Sequence, residues 1–240
     1  VFSFLKKQKT RVISPLKIDV HSHLLAGIDD GSKTWEESID MLTVLYSLGY
    51  QKFITTPHIM SDVYRNEPTD IRTKLAKLRA AVATAGLPVA IEAAAEYYLD
   101  ETLVKKVALS EEILTFGKKQ LLFETNFMSE PLQIKDFIFQ ATSKGYQLIM
   151  AHPERYEYMT LAKAEDLRNR GVLFQINVLS IMGYYSRPVQ KMAQQLIDKG
   201  WAELLGTDCH NILQANFIME NRNNKYFQKA LELPLLNNQL

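Results

Sequence analysis

One cysteine, Cys209, stands in 240 residues, so no disulfide can form within the chain and stability must come from packing. No apolar run approaches the ~20 residues that a spanning helix needs, so no stable membrane insertion is expected. Neither sign of charge dominates. With 28 Lys and Arg against 27 Asp and Glu, the chain lacks the broad cationic field that attracts nucleic acid, which is not an expected partner. These absences point to a reduced, cytoplasmic setting. Residues 1–15 begin with a small apolar cluster followed by Lys6, Lys7, Lys9 and Arg11, too short and misordered for a secretory signal, and are read as a solvated N-terminal arm.

Histidine is also scarce, but all five sit in four short motifs, each after an apolar, β-branched run: Asp19-Val20-His21-Ser22-His23, Thr56-Pro57-His58, Ala151-His152-Pro153-Glu154-Arg155 and Thr207-Asp208-Cys209-His210. Neutral imidazole and ionised carboxylate are common ligands of zinc, manganese and iron, so histidines gathered at the ends of separate strands suggest a polynuclear metal site.

An apolar content of 47% can supply one large core, and residues 16–240 are expected to form a single domain. Strands are expected near 16–21, 51–56, 88–95, 119–124, 147–151, 172–178 and 202–207, mostly as the continuous apolar stretches of a buried parallel sheet. Between them the period changes. Ile71, Leu75, Leu78 and Val82 mark one helical face, as do Ile39 and Leu42 with Leu45 or Tyr46. Thr34 with Glu37 has the spacing of a capping box, while Gly49, Gly86, Gly145, Gly171 and Gly200 stand where helices should stop.

Strand followed by helix, seven times over, fits an α/β fold: a distorted seven-stranded (β/α)7 barrel or, alternatively, an open doubly wound sheet. The polar residues favour the barrel. His21, His23, His58, Glu96, Glu124, His152, Asp208 and His210 all fall at strand C-termini, which converge on one mouth in a barrel but spread apart in an open sheet.

Residues two apart on a strand point the same way, so His21 and His23 can present both imidazoles to one cation. The acidic turn Gly27-Ile28-Asp29-Asp30-Gly31 offers carboxylates that reach back as ligands or supports, or simply leads into a helix. Glu92, Ala94 and Glu96 share a face by alternation, which aims Glu96 at the interior. There a carboxylate needs bound cations or an interior Lys or Arg. Arg155, three residues beyond His152, is the strongest candidate to grip a phosphate bidentately, with an ordinary surface arginine as the competing reading. Tyr64, Tyr97 and Tyr98 can flank an aromatic ring or serve only in packing. Thiol phosphatases place an arginine after five intervening residues, but that position after Cys209 is Ala215, so Cys209 reads as a small buried residue.

These motifs, together with Glu96-Tyr97-Tyr98, resemble the polymerase and histidinol phosphatase (PHP) superfamily, and within it the bacterial metal-dependent protein tyrosine phosphatases of capsule and exopolysaccharide loci. The resemblance runs in order from about residue 16 to residue 211. It implies a barrel holding three divalent ions (manganese, iron or zinc) and hydrolysis of phosphotyrosine on a bacterial tyrosine kinase by a hydroxide bridging two ions. It further implies His21, His23, Asp30, His58, Glu96, Glu124, His152, Asp208 and His210 as metal ligands. Arg155, Asp208 and His210 are the expected catalytic residues, and Arg155, Tyr64, Arg65 and Tyr97 the expected substrate-binding set. The family often carries a second arginine shortly after its Asp-X-His motif, whereas residues 211–216 contain none. Arg65 and Arg222 are the candidates to replace it. Alternative functions are a small-molecule phosphomonoesterase like the histidinol-phosphate phosphatases, a nuclease-type diesterase, or a noncatalytic metal-containing protein that binds a kinase. Homo-oligomerisation stays open.

Overall fold

A computed structural model describes residues 16–240, so the expected N-terminal arm over residues 1–15 lies outside the described residues. Among the described residues, nine short strands, all paired in parallel, form two sheets. The smaller has the order β1 (Ile18–Asp19), β2 (Lys52–Thr55), β4 (Ala90–Ala93). The larger runs β3 (His58–Ile59), β5 (Glu96–Tyr98), β6 (Gln120–Glu124), β7 (Gln147–Ala151), β8 (Leu173–Asn177), β9 (Leu204–Gly206). The main sheet therefore has six strands, not the seven expected. The discrepancy has a local cause: the second expected strand is split into β2 and β3, and the third continues past a break into β5. Pro57, which has no N–H to donate, sits in the first gap. Backbone pairing nevertheless carries across, with Ala94 N–H donating to Thr55 O (3.0 Å) and Glu96 N–H to Pro57 O (3.0 Å).

The first and last strands are stitched together as well. Asp208 N–H donates to His21 O (2.7 Å) and His23 N–H to Cys209 O (3.0 Å), while the Thr207 N–H and hydroxyl both donate to the Asp19 carboxylate (2.9 and 2.8 Å). Burial pushes that carboxyl up to about 6, against the lowering effect of the two Thr207 bonds. The curled parallel sheet divides the core. Val20, Ile54, Ala94, Leu122, Ile149 and Leu204 pack inside the curl, and a larger apolar layer fills the space between sheet and helices.

The helices follow their apolar stripes. α1 (Trp35–Ser47) buries Met41, Leu42 and Leu45 and leaves Tyr46 partly exposed, while α2 (Pro68–Thr84) buries Ile71, Leu78 and Val82. Thr34 caps α1 as expected by accepting the Glu37 N–H, but the Glu37 carboxylate reaches Lys33 N–H instead of closing the reciprocal bond. Helices α3 (Glu101–Leu109), α4 (Ile134–Ser143), α5 (Leu161–Asn169), α6 (Val178–Met182) and α7 (Arg187–Asp198) continue the cover. α8 (Ile212–Glu220) and α9 (Lys225–Leu231) follow the last strand. All five glycines expected to stop helices lie beyond helix ends with positive φ.

The C-terminal segment closes the end of the curl remote from the strand C-termini. Leu236 and Leu240 pack on the interior cluster, and fully buried Asn237 bonds Ile18 O, Leu205 O and Leu205 N–H at 3.0, 2.7 and 3.0 Å. Nearby, Glu92 shares the interior-facing alternation but ends at this base, where Lys52 pairs with it at 2.8 Å. Among the described residues, no helix is long and apolar enough to cross a membrane.

Candidate metal centre and active site

At the opposite end, the strand C-termini bring all five histidines into one cluster. His21 and His23 lie beyond β1, which ends at Asp19, on an extended segment held by a bridge between Ser22 and Cys209; Glu96 begins β5 where it was expected to end a strand. His21 Nε2 is 3.1 Å from Glu96 Oε2, 3.3 Å from Asp208 Oδ1 and 3.3 Å from His23 Nε2. His152 Nε2 lies 3.0 Å from Glu96 Oε1, and His58 Nδ1 lies 3.1 Å from Glu124 and 3.2 Å from Glu96. Asp30, half exposed, meets His58 Nε2 at 3.4 Å and His210 Nε2 at 3.5 Å. Four overlapping groups of convergent donors result: His21 with His23 and Asp208; His21 with Glu96 and His152; His58 with Glu96 and Glu124; and His23 with Asp30, His58 and His210.

This donor set fits divalent cations. Ligands ~2.1 Å from one ion stand roughly 3.0–3.4 Å from each other, the separations observed here. Asp29, Glu96, Glu124 and Asp208 are buried carboxylates, and Arg155 is the arginine among them. Protein atoms alone place the balancing charge on imidazoles. Burial would lower His21, but Glu96 and Asp208 outweigh it and lift the ring to about 9, while the surrounding imidazoles hold Glu96 and Asp208 well below the ordinary range against their own burial. His58 Nδ1, despite its two carboxylate neighbours, makes no hydrogen bond in proper geometry. Such an atom suits a coordinate bond.

Three rings are oriented from behind. His21 Nδ1 donates to Gln175 Oε1 (2.6 Å), His23 Nδ1 to Asp29 Oδ2 (2.8 Å) and His210 Nδ1 to Asp208 O (2.8 Å), so that each Nε2 faces the cluster. Asp29 also accepts N–H bonds from Gly31 and His58, so the acidic turn divides its work: Asp29 supports and Asp30 faces the cluster. A Cβ on Gly31 would lie 2.3 Å from His23 O, and one on Gly206 would lie 2.6 Å from His21 Cβ, so both positions require glycine. His152 (φ 34°) and Asp208 (φ 49°) occupy the left-handed region, uncommon for residues other than glycine, and this strain sits at the donor cluster.

Asp30, His58, Glu124, His152, Asp208 and His210 line a cavity of about 310 Å³, with Tyr64, Tyr98, Phe127 and Arg155 on its walls. Arg155 Nη1 donates to Asp208 Oδ2 (2.7 Å), and its guanidinium lies between the rings of Phe127 (4.9 Å) and Tyr185 (4.6 Å). Tyr64 stacks on His58 at 5.4 Å. Other candidates lie off this cavity. Tyr97 turns away from the cavity: it is 2% exposed, packs in the core and accepts the Leu114 N–H on its hydroxyl, so Tyr98 faces the site instead. Arg65 is exposed, donates to Ser61 O and lines a neighbouring cavity; Arg222 donates to Met219 O. Neither lines the site cavity as the missing second arginine. Cys209 is fully buried, and burial raises its thiol well above the ordinary value.

Sequence reasoning missed Gln175, Asn177 and Phe127. Asn177 Nδ2 donates to Asp208 Oδ2 (2.6 Å), and Phe127 stacks on His152 (5.7 Å). A signal existed for two of them: Gln175 and Asn177 are polar residues two apart in the otherwise apolar β8, on its interior face.

Comparison with known proteins agrees with this architecture. The chain is 26% identical to CapC of Staphylococcus aureus over 229 residues, covering 93% of this chain and 90% of that protein. It is 25% identical over 202 residues to tyrosine-protein phosphatase YwqE of Bacillus subtilis, covering 83% and 80%. A solved structure from work on YwqE of Bacillus subtilis and CpsB of Streptococcus pneumoniae, described as metal-dependent tyrosine phosphatases, has the same fold: TM-score 0.80, 24% identity, covering 92% of this chain and 91% of that one. Residues 17–232 match the family described as capsular polysaccharide synthesis, CpsB/CapC. The chain therefore belongs to the CpsB/CapC family.

Proposed function

We propose that this protein is a metal-dependent tyrosine phosphatase that acts in the cytoplasm on a phosphotyrosyl protein, namely a bacterial tyrosine kinase controlling capsule or exopolysaccharide synthesis. The observation that carries this reading is the convergence of imidazoles and carboxylates beneath Arg155 in a cavity walled by Tyr64, Tyr98 and Phe127. His21, His23, Asp30, His58, Glu96, Glu124, His152, Asp208 and His210 would hold three divalent ions, manganese, iron or zinc. Bound there, divalent ions supply Lewis acidity toward a phosphoryl oxygen and draw the pKa of water toward neutrality.

The chain's own residues supply the rest. Arg155, anchored through Nη1 and held between two rings, keeps further N–H groups for phosphoryl oxygens and for the charge that grows on them. Asp208 links that guanidinium to the donor cluster, with Oδ2 on Arg155 and Oδ1 beside His21 and His23. His210, on the half-open rim, completes the catalytic group with Arg155 and Asp208. The aromatic walls suit a phenyl ring, and phenolate, with a parent pKa of about 10, leaves without needing a strong general acid.

We also read residues 16–240 as one seven-unit β/α barrel. Support comes from the hydrogen bonds that carry pairing past Pro57 and join β1 to the segment after β9.

Metal-replete protein should cleave phosphotyrosyl peptide faster than histidinol phosphate or a phosphodiester, and chelation should abolish turnover until metal is restored. A preference for histidinol phosphate would favour the small-molecule alternative. Turnover of none of the three would end the enzyme reading.

A further inference from the structure

A second cavity, about 210 Å³, adjoins the one above the donor cluster and shares two of its walls, Met60 and Tyr98. Ile59, Tyr97 and Leu103 supply carbon surface. Most of the polar groups around it are committed elsewhere, exposed Arg65 donating its Nε to Ser61 O (2.7 Å). Asp100 accepts the Ser61 and Leu103 N–H groups (3.0 and 2.8 Å), and Asn66 donates to Ile28 O and His58 O (3.0 and 2.8 Å). Glu67 is engaged in the capping box of α2, and Lys106 lies between Glu67 and Glu111 at 3.9 and 3.7 Å. An incoming group therefore meets mainly apolar wall. The volume falls below the ~300 Å³ at which pockets begin to accept whole small molecules, so the fitting occupant is a fragment of something anchored next door.

The surrounding face suggests what that something is. Val63, Met128, Leu132 and Leu213 are 63%, 70%, 100% and 71% exposed, and all lie on segments that follow strands, around the same mouth. Exposed apolar side chains spread over the end of the sheet that carries the site suit contact with a polypeptide better than with a soluble metabolite.

We propose that the second cavity is a specificity subsite for an apolar side chain one or two residues from the phosphotyrosine of a polypeptide substrate. This rests on the phosphatase reading. Met60 and Tyr98 form the shared wall, so the aromatic ring occupies one side while its neighbour in the chain fills the other.

The test compares p-nitrophenyl phosphate with phosphotyrosyl peptides carrying Leu, Ala or Glu at each of the two positions on either side. For the metal-replete wild type, Leu at one of these positions should raise kcat/KM about tenfold over Ala, mainly through KM, and Glu should do worse than Ala. Thr102 is exposed at the start of α3 and lines the cavity, so Thr102→Trp can fill it without entering the core. That variant should lose the Leu preference while p-nitrophenyl phosphate hydrolysis stays within twofold. Equal rates for Leu and Ala peptides at all four positions, with p-nitrophenyl phosphate cleaved, would overturn the subsite alone. So would an unchanged preference in Thr102→Trp. No cleavage of p-nitrophenyl phosphate or of any peptide would overturn the phosphatase reading and the subsite with it.

Discussion

At the scale of single residues, the site separates groups that face the donor cluster from groups that only resemble them in sequence. His152 enters it through Nε2 from a strained backbone position, so His152→Ala should lower kcat at least a hundredfold and reduce bound metal measured by elemental analysis. Arg155→Ala should retain its metal and lose phosphate binding and transition-state stabilisation, read as a fall of ~10²–10³ in kcat/KM. An unaltered rate would return Arg155 to ordinary surface duty. Cys209→Ser should keep most activity, because the buried thiol donates to Asn211 O at 3.4 Å and a hydroxyl can make the same bond. Loss of turnover in that variant with metal intact would overturn the mechanism. The histidine motifs announce the cluster because imidazole after a buried strand has few other uses. The tyrosine after Glu96 could not be placed so simply: Tyr97 and Tyr98 are adjacent, alternation sends them to opposite faces, and only the register of β5 against β6 decides which one meets the cavity.

At the scale of elements, β8 shows how an apolar strand delivers polar support to a metal centre. Phe174 and Ile176 turn outward into the helix layer, while Gln175 and Asn177 turn inward and hold His21 and Asp208. Gln175→Leu should fold, since the position is fully buried and the volume is similar, yet weaken metal retention by ~10–100-fold in a chelator competition. Unchanged retention would mean that His21 needs no such partner. The strand runs were legible because a parallel sheet covered on both faces reads as unbroken apolar sequence. Their divisions were not. The break at Pro57 follows from its missing N–H, but the break between Ala93 and Glu96 contains only alanines and leaves no comparable mark in sequence. The helices after β9 were harder still, because their burial is set by docking of α8 against α1 and α6 and of α9 against α6 and α7, which no local pattern encodes.

Across the whole molecule, chemistry and closure occupy opposite ends of the curl. The histidine and carboxylate cluster, with left-handed His152 and Asp208, gathers where strands finish, while the base is sealed by apolar side chains and by Asn237. Each of that amide's three bonds goes to a strand backbone, two to Leu205 and one to Ile18, so it ties the first strand to the last. Asn237→Ala should cost about 2–4 kcal/mol, from backbone groups left unpaired in the interior. That loss is readable as a fall in Tm of roughly 5–15 °C, while kcat of the folded fraction stays unchanged. A Tm within 1 °C of wild type would show that the amide is dispensable.

The base also brings Lys17 and Asn238 together: the backbone N–H of the first donates to the side-chain oxygen of the second at 3.1 Å, across 221 positions of sequence. A short tether could therefore join these two points, and new termini could be opened in a surface turn such as the one at Gly86. The resulting circular permutant would run through the same strands in a rotated order and still assemble the same catalytic mouth.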